Sequence, residues 1–444
     1  MKTCTSPKTR TLLACATFLS VAAALLQPSY ASDPVKSRAW AGEQFAQCLQ
    51  GGSTGMFLDG REKAEKRVAA CSNAIQSGKL TASELGLARL ARGGARTAIG
   101  ESILAGGDYQ EALRHYDSAI DPSNPEALAL YRRGVARFGL GQTERALADL
   151  TAAIIRDPKE PLAFFERGVV LASRQRAYAR AIADFDKVLA LSPDNVGALL
   201  RRGDAYGQIN DFGHALADLD RAILLAPDSA EARVYRGVTR SRQAANVLAL
   251  ADYSEALRVD PRNTEALVNR AALYAASDAA DLALRDLDAA IAIQKTAPLA
   301  YYNRGYVHFA KQNYGLAIDD YSRAIALDPG MGLAYNNRCL ARTIVGRDLI
   351  EALADCDMAL KARPTNLEVR ETRGFIYLKL GDPAIAIVEY NAVLEIDPNR
   401  PLALYGRGLA RIKLGRTQEG EVDQAAARAL DPSIERRFTI YGVS

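Results

Sequence analysis

Arg133, Arg167, Arg202, Arg236, Arg270, Arg304, Arg338, Arg373 and Arg407 follow one another at intervals of 34 or 35 residues. A fixed period of that length leaves few folds open. Each unit must be one small supersecondary element, and stacked copies must build a core that none forms alone.

Two helical patterns lie in each period. The first is short and closes at a glycine or a polar turn, as at Gly139-Leu140-Gly141. The second stops at Asp-Pro in several units: Asp157-Pro158, Asp260-Pro261, Asp328-Pro329 and Asp397-Pro398. Proline lacks the amide donor a helix needs and restrains the residue before it, so the pair ends the helix. Small residues hold fixed registers where two helices approach. Gly134, Gly168, Gly203, Gly237, Gly305, Gly374 and Gly408 mark the first helix; Ala146, Ala181, Ala215, Ala249, Ala283, Ala317, Ala352 and Ala386 mark the second. Period, small-residue registers and terminal proline together resemble the tetratricopeptide repeat family. The resemblance covers about ten repeats, from Gly93 to Pro432. It implies an all-α, right-handed solenoid of helix-turn-helix repeats.

The family usually carries a leucine-like residue where this chain has Arg304. A second series accounts for the arginine. Asp149, Asp184, Asp218, Asp252, Asp286, Asp320, Asp355, Glu389 and Asp423 each follow an arginine by 16 or 17 residues. An ion-pair ladder is expected, joining the two helices of a repeat or neighbouring repeats. In the first repeat the same count falls on Ile99 and His115, so both partners are expected to be missing there together. A structural ladder is preferred to an anion-binding one, since each arginine already has an acid in register.

The first 31 residues contain Lys2, Lys8 and Arg10, no acid, and an apolar run from Thr11 to Leu26, before Ser29-Tyr30-Ala31. This is the pattern of an export signal cleaved after Ala31; the run falls short of the ~20 residues of a spanning helix, which argues against an uncleaved anchor. Without those three cations the net charge of +4 falls to +1. A chain so near neutrality has no electrostatic footprint for nucleic acid or an anionic membrane. The expected division is 1–31 signal, 32–80 divergent helical cap, 81–434 repeats and 435–444 closing helix or tail. Thr81 and Glu84 read as a capping box opening the repeats. Ile434 to Val443 reads as the closing helix, with Phe438 and Ile440 covering the last apolar face.

Four cysteines remain beyond the signal: Cys48, Cys71, Cys339 and Cys356. An even number in an exported chain suggests disulfides. Cys339 stands at the repeat's small position and Cys356 directly follows Asp355; the repeat resemblance implies that these positions pack together. The sequence ACSNAI around Cys71 matches DCDMAL around Cys356, so Cys48 and Cys71 are expected to staple the cap. Free thiols and a metal site are the competing readings. Two distant pairs do not make a zinc site, and no cofactor is expected.

Chemistry is otherwise sparse. His115, His214 and His308 occupy different registers. Gly51-Gly52-Ser53-Thr54-Gly55 matches GxSxG, yet no strand pattern leads into it, so Ser53 is not expected to be a nucleophile. Nearly all of the chain is repeat or cap, so it reads as non-enzymatic. The family resemblance implies a partner groove lined by first helices. The residue before each arginine belongs to that face, and the series Asn269, Asn303 and Asn337, with Asn336 alongside, resembles the asparagine ladder of peptide-binding members. An asparagine offers a donor and an acceptor, matching a peptide bond. Tyr302 and Tyr306 are expected to add apolar contacts. The bland alternative is a solvated polar stripe. The function expected is a protein-binding scaffold of the bacterial cell envelope, periplasmic or secreted; the alternative is a glycan-binding accessory of envelope polysaccharide assembly.

Overall fold

The computed structural model describes residues 41–49, 61–121, 123–440 and 442. The signal segment, Ser53 and Val443 lie outside them. The described residues are helical, with no strand. They divide into two units, the first ending at Leu273 and the second beginning at Tyr274.

Unit 1 opens with α1 (Ala41–Leu49) and α2 (Arg61–Gln76). Cys48 and Cys71 join them, their sulfurs 2.04 Å apart. Phe45, Ala70 and Ala74 pack with this pair against Leu87, Ala88 and Ala91 of α3 (Ala82–Ala98). The capping box starts α3: Thr81 Oγ1 accepts from the Glu84 amide, and the Thr81 amide donates to Glu84 Oε2. Helix pairs follow: α3 with α4 (Ser102–Ala119), α5 (Ala127–Gly139) with α6 (Thr143–Arg156), and α7 (Pro161–Gln175) with α8 (Tyr178–Leu191). Next are α9 (Val196–Gln208) with α10 (Phe212–Leu225), and α11 (Ala230–Arg242) with α12 (Asn246–Val259). Helix α13 (Thr264–Ala276) carries the division between units, and α14 (Ala280–Ile293) lies in unit 2. Unit 2 continues with α15 (Pro298–Ala310) and α16 (Tyr314–Leu327), then α17 (Gly332–Val345) and α18 (Leu349–Ala362). Helices α19 (Leu367–Leu380) and α20 (Pro383–Leu394), then α21 (Pro401–Lys413) and α22 (Thr417–Leu430), complete its pairs. Helix α23 (Ile434–Ile440) closes it, with the Phe438 ring 4.8 Å from Tyr405 and 5.4 Å from Phe375.

The small residue after a ladder arginine, most often glycine, is where the two helices of a pair touch. A Cβ at Gly305 would come within 2.9 Å of the Tyr321 ring, and one at Gly237 within 2.6 Å of Tyr253. Tyr253, Tyr321 and Tyr390, each following a ladder acid, are fully buried. In α17 and α18 the same two positions hold Cys339 and Cys356, bonded at 2.13 Å. A disulfide thus replaces the glycine–tyrosine contact.

The ladder is present and joins three helices at each step. Arg304 donates from Nε to Asp320 Oδ2 (2.9 Å) and from Nη2 to Oδ1 (2.7 Å); its Nη1 donates to Asp288 of the preceding pair (2.7 Å). The hydrogen bond to Asp320 holds this guanidinium above its ordinary pKa, against the effect of burial. Arg133, Arg167, Arg202 and Arg236 in unit 1, and Arg338, Arg373 and Arg407 in unit 2, pair forward in the same way. Their backward partners sit 16 residues earlier: Asp117, Thr151, Asp186, Asp220, Ser322, Asp357 and Asn391. Arg270 falls in unit 1 and Asp286 in unit 2, so that position is not among these.

The first repeat corrects the sequence alignment. Its ladder pair is not missing: Arg92 binds Asp108 through Nε and Nη2, with Nη2–Oδ1 at 2.6 Å. Arg92 precedes Gly93 as Arg304 precedes Gly305, and a Cβ at Gly93 would meet Tyr109. The interval to Arg133 is longer because α4 has 18 residues where α6 has 14, and the connection after it spans 120–126. The added residues lie after Asp108, so the 16-residue spacing of Arg92 and Asp108 is kept while the count back from Arg133 slips. Ile99 and His115 are therefore not ladder positions.

Candidate partner-binding face

The residue before each ladder arginine holds the same register on its first helix, as the arginines themselves do. Within unit 1, α7 touches α9 and α9 touches α11; within unit 2, α15 touches α17, α17 touches α19 and α19 touches α21. First helices therefore form rows, and the equivalent side chains follow one another along them.

In unit 2 the row begins with Asn303, 3 % exposed. Neither its Oδ1 nor its Nδ2 has a hydrogen-bond partner among the described residues. Leaving a buried amide unpaired costs about 1–3 kcal/mol for the group. Asn337 is half-buried and donates from Nδ2 to the Tyr302 hydroxyl at 3.2 Å, while its Oδ1 accepts from Asn336 Nδ2 at 3.2 Å. The Asn337 Oδ1 keeps a second acceptor lone pair. Tyr302 is a core residue, 5 % exposed, with its ring 5.9 Å from that of Tyr321. It offers no open apolar face, in contrast to the sequence expectation. Tyr306 is half-buried. Asn269 occupies the corresponding register in unit 1 and is also half-buried.

Unit 1 has charged groups in this register. Glu166 of α7 is 1 % exposed, and among the described residues neither of its carboxylate oxygens has a hydrogen-bond partner. Burial pushes its pKa up to about 8, with the charge of Arg201 pulling the other way. Arg201 of α9 donates from Nη1 to the Tyr235 hydroxyl at 2.5 Å and lies 3.7 Å from Glu231 Oε1. Burial also raises Glu265, to about 7, helped by the charge of Asp204. Asp204 is raised by its own burial, against its hydrogen bond from Gln208 and the charges of Arg201 and Arg242. Glu166, Arg201 and Tyr235 stand directly before ladder arginines and so belong to the face the sequence marks, whereas Asp204, Glu231 and Glu265 do not. Their signal was spacing: Asp204 is three residues after Arg201, Glu231 four before Tyr235, and Glu265 four before Asn269.

The histidines form no common site. His214 is exposed beside Asp211, while burial lowers the pKa of His115 and His308. Among the described residues no group of three or more His, Cys, Asp or Glu side chains is placed to hold a metal ion. None of the described helices is long and apolar enough to cross a membrane.

Family models of the tetratricopeptide repeat match residues 131–196, 200–243 and 373–434, and residues 298–331. Those segments are tetratricopeptide repeats. The chain's fold is an all-α repeat solenoid, an architecture that serves as a scaffold for binding proteins or peptides. DnaJ homolog subfamily C member 3 of Rattus norvegicus is 34 % identical over 95 residues, covering 21 % of this chain and 19 % of that protein. The Homo sapiens protein of that name is 33 % identical over 95 residues, with the same coverage. The chain thus spans about a fifth of the length of these curated relatives. Among solved structures, a tetratricopeptide repeat protein from Parabacteroides merdae is 18 % identical with a TM-score of 0.45, covering 59 % of this chain and 98 % of that one. The human IFIT1 dimer with PPP-AAAA is 17 % identical with a TM-score of 0.48, covering 84 % and 95 %. Likeness at this level carries nothing about partners.

Proposed function

We propose that this chain is a non-enzymatic scaffold of the bacterial cell envelope that holds an extended segment of a protein partner against its first-helix face. The observation that carries the reading is Asn303: a buried amide with neither end paired among the described residues, in a row with Asn337, whose Oδ1 retains an acceptor lone pair. A peptide backbone offers both complements at each residue. Asn269 holds the same register in unit 1. Two disulfides and the export pattern of the first 31 residues support an oxidising compartment, the periplasm or the exterior. The glycan alternative leans on open tyrosine faces, and Tyr302 does not present one.

The test is binding of a library of extended peptides to the oxidised full chain and to the variant with Asn269→Ala, Asn303→Ala and Asn337→Ala combined. Binding is expected to be lost while the melting temperature changes little. Unchanged binding removes the asparagines from the reading.

A further inference from the structure

We propose that helix α23 is an internal occupant of the first-helix face of unit 2, and that the part of this face formed by α19 and α21 receives a partner's short amphipathic helix with an aliphatic and an aromatic residue one turn apart. The inference rests on the scaffold reading in taking this face to receive a polypeptide. It adds a helical mode of binding at a different place on the face.

The Phe438 ring meets Phe375 of α19 at 5.4 Å and Tyr405 of α21 at 4.8 Å. Both partners belong to the first-helix face. Phe375 stands three residues after Thr372, which directly precedes Arg373, and Lys379 follows four residues later, so the three share one side of α19. Tyr405 holds the register of Tyr302, whose hydroxyl accepts from Asn337, so that register borders the asparagine row. Beyond α23 the chain keeps to this side. A Cβ at Gly442 would stand 3.6 Å from Lys379 Nζ, which itself donates to the Thr343 carbonyl of α17 at 2.6 Å. A helix that merely continued the row would pack on α21 and α22. Helix α23 touches both, and its aromatic ring reaches on to α19.

What α23 covers is more open elsewhere in the row. The register of Phe375 holds Tyr306 in α15 and Leu340 in α17, both half-buried, whereas Phe375 beneath Phe438 is 3 % exposed. Ile434 and Phe438, four residues apart, are the buried side chains of α23, while Glu435, Arg436 and Thr439 face solvent. They show what the face accepts: an aliphatic residue and an aromatic one on the same side of a helix.

The hold on α23 is light. Seven residues are too few for a helix to sustain itself in water, so α23 is helical because it is docked. Glu435 pairs with Arg428 at 3.9 Å between exposed side chains, and Arg437 pairs with Asp431 at 3.1 Å; neither pair reaches α19 or α21. Exposed pairs contribute little, so undocking is a local opening that leaves the helix pairs beneath intact. While docked, α23 bars a partner helix from the same ground.

The experiment uses the oxidised full chain and a labelled peptide of residues 431–440, DPSIERRFTI, read by anisotropy. The Phe438→Ala chain is expected to bind it at least about tenfold tighter than the unaltered chain, because the docked helix no longer competes. The same peptide with Phe438→Ala is expected to bind neither chain, and adding Phe375→Ala to the Phe438→Ala chain is expected to abolish binding. Hydrogen exchange on the unaltered chain needs no variant to fold: the α23 amides are expected to exchange at least about tenfold faster than those of α19 and α21. Equal peptide binding by the two chains, or α23 exchanging only as fast as α19 and α21, overturns the proposal. A concentration-dependent dimer of the unaltered chain that Phe438→Ala abolishes would assign the face to a second copy and overturn the partner. If this peptide fails while extended peptides bind and the triple asparagine variant loses them, the scaffold reading stands and this inference alone fails; if no peptide binds at all, both fail.

Discussion

Units 1 and 2 have the same frame and different faces. In both, an arginine before the small residue of the first helix clasps an acid on the second and reaches back to the preceding pair. In both, a large side chain after that acid fills the space the small residue leaves. One residue before the arginine the likeness ends. Unit 1 presents Glu166, Arg201 and Tyr235 there, and unit 2 presents Asn303, Asn337 and Thr372. Positions that join helices repeat because every joint has the same geometry. Positions outside that joint are free to differ, and there the two units diverge.

The shared frame is broken most severely at the ladder. Asp320 is 5 % exposed and Asp218 7 %. Replacing Arg304 or Arg202 by Ala leaves such an acid buried without its main partner, and each change is expected to cost ~3–5 kcal/mol in denaturant unfolding. The double change Arg304→Met with Asp320→Leu should recover most of that loss. A large loss in one unit and none in the other would show that the frames are not equivalent.

The disulfide sharpens the same point. Removing it with Cys339→Ala and Cys356→Ala closes no 18-residue loop and should cost ~3 kcal/mol. Cys339→Gly with Cys356→Tyr rebuilds the contact seen at Gly305 and Tyr321, and should melt above the alanine pair. If it does not, the two joints are not interchangeable.

The faces are separated by pH. Glu166 titrates at about 8 in the folded chain against about 4.5 when unfolded. Between those values the folded state holds a proton that the unfolded state has lost, so stability falls as pH rises. Glu166→Gln should therefore stabilise the chain at alkaline pH, by at most ~1.4 kcal/mol for each pH unit above the unfolded pKa, and have no such effect below it. Asn303→Leu removes an unpaired amide of another kind and should stabilise by ~1–3 kcal/mol at every pH. Parallel pH profiles for the two variants would contradict the contrast between the faces.

The smallest effect lies in the turns. The residue eight places after the ladder arginine has positive φ in most repeats, with Gly141 at 74° and Ala244 at 61°. A side chain is disfavoured there, so Ala244→Gly should gain roughly 0.5–1 kcal/mol in thermal melts. No gain would mean that the turn at Ala244 is held differently from the one at Gly141.

Period, helix pairing and the arginine–acid spacing were legible because each contact recurs at a constant separation along the chain. The first repeat shows the limit of that legibility. A longer α4 and a longer connection after it stretched the interval from Arg92 to Arg133, so counting back from Arg133 landed on Ile99 and His115. The Arg92-Gly93 dipeptide was the better guide, because the glycine is demanded by a close contact and the count is not.

The sequence by itself determined which side chains must meet within a repeat, since that meeting depends on local spacing and on the size of a few residues. Only the tertiary structure decided which meetings join three helices, that Tyr302 is enclosed rather than open, and that Glu166 and Asn303 are left unpaired. Enclosure is a property of everything that surrounds a group, most of it distant in the chain, and no local pattern records it.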